Sequence, residues 1–127
     1  QERASFVLEK VKKIKEEAKA IKKEEKDKEK KDDDKIKKFK TNAKKVSSLI
    51  VSNGLIPTLA FLKAKEERRP VYNILNEWLK KKGYCNNDAL TELVNSDFSK
   101  LRLATTEVLE FANWLKRIVE IELPEEK

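Results

Sequence analysis

The chain of 127 residues contains no histidine and no methionine, one cysteine, two glycines and three prolines. Each scarcity excludes something. Without histidine, the usual general base and the commonest metal ligand are missing. A lone Cys85 cannot form an intrachain disulfide, and it has no histidine to activate it as a nucleophile. Two glycines cannot build a Gly-rich phosphate loop. Sparse turn chemistry also argues against a strand-rich fold, which needs many tight connections. No apolar run reaches membrane-spanning length and nothing resembles a signal peptide, so a cytoplasmic location is expected. With Gln1 first and no methionine, the true N-terminus is expected upstream.

What remains is charge and helix formers. Charged residues make up 42% of the chain and hydrophobic ones 39%, with a net charge of +7. Lys, Glu, Leu and Ala dominate, and all favour helices. The expected fold is all-α, a single-domain bundle of about five to six helices. It divides into a long N-terminal helix over 1–26, a charged linker over 27–35 and a helical core over 36–122. Carboxylate pairs at helical spacing, such as Glu107 and Glu110, suit solvated faces, and nothing beside them suggests a metal. No cofactor, metal site or catalytic set is expected.

The position of the charge is informative. Residues 22–35 are all charged, seven lysines against seven acids. Residues 36–65 contain Lys37, Lys38, Lys40, Lys44, Lys45, Lys63 and Lys65 and no acid. Positive charge therefore concentrates in one middle segment, as a polyanion-binding surface requires. A solvated lysine-rich helix face is the plainer alternative.

Periodicity supplies the helices. Ala4, Val7, Val11, Ile14, Ala18 and Ile21 form a narrow heptad-like seam on the first. The run 22–35 has no apolar anchor and is open to two readings, a helix prolonged through i,i+4 Glu–Lys pairs or a flexible loop; a frayed helix end with a mobile turn around Asp32–Asp34 is expected. On the second helix, about 35–52, Ile36, Phe39, Ala43, Val46 and Ile50 share one arc. Lys37, Lys38, Lys40, Lys44 and Lys45 occupy the opposite arc. Lysine is a flexible point charge, so such a face suits phosphate and does not read bases. Gly54 reads as a helix C-cap in left-handed conformation. A third helix, about 56–67, is apolar nearly all round and should be the central buried element. Pro70 opens a fourth, which carries Trp78 in its apolar face and ends at Lys80–Lys82 and Gly83. Asn87 is the expected N-cap of a short fifth helix, and Ser96 or Ser99 that of the last, whose stripe runs from Leu101 to Val119.

Two stretches, residues 35–65 and Leu101–Glu120, carry a recognisable pattern. A basic helix leads into Asn53, Gly54 and Leu55, then Leu59, Ala60, Phe61, Leu62 and Lys63. Near the end come Arg102, Thr105, Glu107, Trp114, Leu115, Lys116 and Arg117. This resembles the small helical subunit of the type III-B CRISPR effector, the RAMP-module (Cmr) complex, over residues 35–122. An Arg and a Pro common in that family are absent here, where Lys40 and Ser47-Ser48 stand; the first helix and the charged run add nothing to the resemblance. It implies a non-catalytic subunit that contacts phosphate backbone of a guide RNA–target RNA duplex, other subunits of the complex and further copies of itself, with no membrane partner. It points to Lys63, Lys65, Arg102, Lys116 and Arg117 as basic contacts, to which charge clustering adds the five lysines of the second helix. For Arg102 the alternative is an ion pair with Glu107 or another carboxylate. Two other functions remain open at this stage. One is a protein–protein scaffold paired through the first helix, with no nucleic-acid role. The other is a helix-turn-helix DNA regulator, which the apolar third helix argues against.

Overall fold

The structure is a computed structural model that describes residues 1–24 and 29–123, with side chains described for 1–18 and 34–123. Six helices and no strand occur among the described residues: α1 (Glu2–Glu24), α2 (Glu29–Asn53), α3 (Leu55–Ala64), α4 (Arg69–Lys81), α5 (Ala89–Val94) and α6 (Phe98–Glu122). The all-α expectation holds. Of the expected linker, residues 27 and 28 lie outside the described residues, and 29–35 are already the start of α2. The helix thus runs through Asp32–Asp34, where a turn was expected.

The hydrophobic core runs through the whole bundle, from Val7 on α1 to Leu123. α6 is its centre. Ala104, Val108, Phe111, Ala112, Leu115, Ile118 and Val119 are buried along it, with α1 on one flank and α2 on the other. Of the apolar seam of α1, Val7 and Val11 are fully buried within the chain, and Ala4, Ile14 and Ala18 are half-buried. α3 departs from expectation too: Leu55, Thr58, Leu59 and Leu62 are buried, but Pro57, Ala60 and Ala64 face outward. It ends at Ala64 because Lys65 turns extended, with φ −127° and ψ 144°.

Two glycines take positive φ where the chain reverses. Gly83 (φ +82°) closes α4. Its N–H donates to Lys80 O and the Tyr84 N–H to Leu79 O at 2.9 Å, the paired bonds of a Schellman motif. Gly54 (φ +91°) has ψ 168°, so it is extended beyond the left-handed helical region that its sequence position suggests. Its N–H donates to Ile50 O at 2.8 Å, ending α2. Its carbonyl accepts from Thr58 Oγ1 at 2.8 Å, opening α3.

The N-caps are acidic where the sequence pointed to Asn and Ser. Asp88 caps α5 by accepting from the Thr91 N–H, and Asp97 caps α6 by accepting from the Lys100 N–H. Asn87 lies one residue before the cap, and its backbone N–H, like that of Asp88, donates to Glu92. Ser96 instead donates its hydroxyl to Leu93 O.

Asp88 also accepts from the Tyr72 hydroxyl and from Lys63 Nζ at 3.0 Å. Burial pushes its carboxyl up, but the hydrogen bonds from Thr91, Tyr72 and Lys63 outweigh this and hold it well below the usual carboxylate range. A depressed carboxylate contributes stability at neutral pH that is lost as pH falls below about 4. No histidine titrates between pH 5 and 8. Thermal unfolding followed by circular dichroism should thus show a midpoint that is level from pH 5 to 8 and falls steeply below pH 4. Asp88→Ala should lower the neutral-pH stability by about 2 kcal/mol through the lost cap and its partners, and should flatten the acid limb. An unchanged acid limb would contradict this assignment.

Candidate nucleic-acid interface

α2 presents two faces because its apolar residues recur at helical spacing. Phe39, Ala43, Val46 and Ile50 are buried, so the lysines between them are turned outward. Lys37, Lys38 and Lys45 are exposed, and Lys40 and Lys44 are partly so. Lys40, Thr41, Lys44, Lys45 and Ser48 line a shallow depression of about 270 Å³. Three ammonium groups and two hydroxyls around one dent form a donor-rich surface that complements phosphate oxygens and makes no bidentate demand on a base. Among the described residues, no carboxylate pairs with Lys37, Lys38, Lys40 or Lys45, and Lys44 meets Glu120 only at 3.8 Å. The face therefore keeps most of its field.

α6 extends this surface. Ser47 Oγ donates to Asn113 Oδ1 at 3.4 Å, and Lys44 faces Glu120. Residue numbers rise on one helix as they fall on the other, so α2 and α6 run antiparallel. Exposed Lys116, one turn beyond Asn113, thereby stands level with the lysine-rich middle of α2. Arg117 turns toward Trp114, its guanidinium carbon 5.7 Å from the ring centroid. Exposed Arg102 lies on the same helix 11 residues before Asn113, roughly 16 Å along the axis at 1.5 Å per residue.

The other two expected contacts are placed differently. Lys65 is exposed just past the end of α3 and does not line the α2 depression. Lys63 is engaged: it pairs with Asp88 and lies 5.6 Å from the Tyr72 ring centroid. It ties α3 to the cap of α5, so its charge is paired within the fold. The alternative pairing of Arg102 with Glu107 is overturned as well, because Glu107 belongs to Arg3.

That last contact anchors α1. Arg3 Nε and Nη2 donate to the two Glu107 oxygens at 2.9 and 3.0 Å, and Nη2 reaches Glu110 at 2.6 Å. The buried Trp78 indole donates to Glu107 Oε1 at 2.9 Å. The hydrogen bond from Arg3, opposed by burial and aided by Trp78, holds the Glu107 carboxyl below its usual range. Three helices meet at one carboxylate. The sequence carried a signal for it: Arg3 sits four residues before Val7, on the buried stripe of α1, and a cation on a core stripe needs a buried partner.

The lysine-rich sector of the fold, its flanking α6 and the docked α1 together agree with a comparison of the sequence with known families. The family described as CRISPR-associated protein (Cas_Cmr5) matches residues 1–122. The match takes in the first helix and the charged run, for which the sequence alone had offered no counterpart. A lysine-faced all-helical bundle matched over nearly its whole length is thus a member of the Cas_Cmr5 family, the small subunit of the type III-B CRISPR Cmr complex.

Proposed function

We propose that this chain is a non-catalytic component of an RNA-guided antiviral effector, binding RNA backbone while contacting neighbouring subunits and further copies of itself. The observation that carries this reading is the depression lined by Lys40, Thr41, Lys44, Lys45 and Ser48 on the outer face of α2, extended by Lys37, Lys38 and Lys116. A guide RNA–target RNA duplex offers phosphates to such a face, and base pairing, not the protein, supplies sequence recognition. The absence of catalysis is supported by the composition and by Cys85. This thiol is buried, and burial raises its pKa, disfavouring the nucleophilic thiolate.

Purification of the tagged chain from its source cell, with mass spectrometry of the proteins and sequencing of the bound RNA, tests the reading. Recovery of RAMP-type subunits together with short guide RNAs is the expected result. Recovery of those subunits with the RNA contacts unaffected by reversal of the α2 lysines would leave the chain a purely protein-binding subunit and refute the RNA assignment.

A further inference from the structure

α6 and α2 are equally long, 25 residues each, but they are offset along the bundle axis. From the pairing of Ser47 with Asn113 and of Lys44 with Glu120, the C-terminal end of α2 at Asn53 falls near residues 107–111 of α6. The roughly three turns of α6 before that project past it. At their start stands Phe98, 77% exposed, a costly place for an aromatic ring with nothing to cover it. Arg102 follows four residues later on the same face, exposed, and meets no carboxylate within ion-pair distance among the described residues. Phe98 is 18 residues before Lys116, which is five full helical turns and roughly 27 Å. The two therefore share one side of α6, the side that borders the lysine face of α2.

We infer that Phe98 and Arg102 form a stacking site for an unpaired RNA base at the far end of the phosphate-binding surface. The inference rests on the RNA-backbone reading and adds to it a kind of contact that lysines cannot make. A strand held by phosphate at Lys40, Lys44 and Lys116 and running along α6 meets Arg102, which takes its backbone. The flat face of Phe98 then takes a base. Any base has a π-face, so the site is indifferent to sequence, and it needs the base to be unstacked. The pairing of an exposed aromatic with a neighbouring cation favours nucleic acid over an apolar protein surface, because Arg102 would be buried without a partner against the latter.

The test is affinity of the reconstituted effector complex, loaded with guide RNA, for a labelled complementary RNA. Wild type is compared with Phe98→Ala, Phe98→Leu, Phe98→Trp and a variant in which Lys37, Lys40, Lys44 and Lys45 are all Glu. Because Phe98 is exposed, its variants should keep wild-type helicity. Loss of about fivefold or more in affinity is expected for Phe98→Ala and for Phe98→Leu, which keeps apolar area without a π-face. Phe98→Trp should bind as wild type does. Full binding by Phe98→Leu, or loss of a protein subunit from the Phe98→Ala complex, would assign the patch to protein contact and overturn the proposal. An unaffected Phe98→Ala beside a weakened lysine variant would overturn it while the backbone reading stands. If the lysine variant too binds normally, both fall.

Discussion

Trp78→Ala should destabilise the fold by about 3–5 kcal/mol, the range for removing a fully buried large aromatic. The indole is completely buried. It stacks on Phe111 at 5.0 Å between centroids, with Phe6 tilted against it at 5.0 Å, and Phe6 in turn meets Phe111 at 5.9 Å. These rings come from α1, α4 and α6, so the truncation leaves a cavity where three helices converge. It also removes the indole donor from Glu107, whose other ligand is Arg3. Lys81 and Lys82 lie over the Trp78 ring at 5.8 and 5.0 Å and pair with Glu2, which adds further to the docking of α1. At roughly 4 °C per kcal/mol for a chain of this size, the thermal midpoint should fall by more than about 10 °C. Trp114→Ala provides the contrast. Trp114 is only partly buried and should lose about 1–2 kcal/mol. Equal losses at the two sites would mean that the three-helix junction is not the organising contact of the bundle.

Reversing Lys37, Lys40, Lys44 and Lys45 to Glu should act on binding and leave folding nearly intact. Each reversal removes two charges, so the formal net charge of +7 becomes −1. The substituted residues lie opposite the buried arc of α2, and glutamate is as good a helix former as lysine. The one described ion pair lost is the long contact of Lys44 with Glu120, which at the surface contributes less than about 1 kcal/mol. RNA affinity of the assembled complex should fall by at least roughly tenfold at 0.1 M salt, since four favourable phosphate contacts become repulsive. Lys63→Gln should behave in the opposite way. It disturbs the Asp88 and Tyr72 contacts and should lower thermal stability with little effect on RNA.

Much of this architecture was legible because one physical signal dominates it. The 3.6-residue spacing of Phe39, Ala43, Val46 and Ile50 sets which side of α2 is buried, and the lysine face follows as the remainder. Boundaries were less legible. The acid-and-lysine run before Ile36 has no apolar period, so a hydrophobic pattern cannot place the start of α2 there. The caps at Asp88 and Asp97 are not singled out by the sequence because Asn, Ser and Asp all qualify locally; at α5 the Asp88 carboxylate is also held by Tyr72 and Lys63, partners 16 and 25 residues away. At the candidate interface, spacing correctly turned the α2 lysines outward. It could not tell Lys63 from Lys65, because the partner that captures Lys63 lies 25 residues away. Phe98 shows the same limit. Its exposure follows from how far α2 reaches along α6, which no local pattern encodes.

The central claim is that the outer face of α2 holds RNA by its phosphates. The dependence of RNA affinity on salt concentration, compared between complexes carrying the wild-type chain and the four-lysine reversal, tests it most directly. Each phosphate contact contributes about 0.7–0.9 to the slope of log affinity against log salt. The variant should therefore show a slope shallower by roughly 3 or more, with weaker binding at every salt concentration. Parallel lines of equal slope would mean that these lysines do not touch phosphate and would contradict the account.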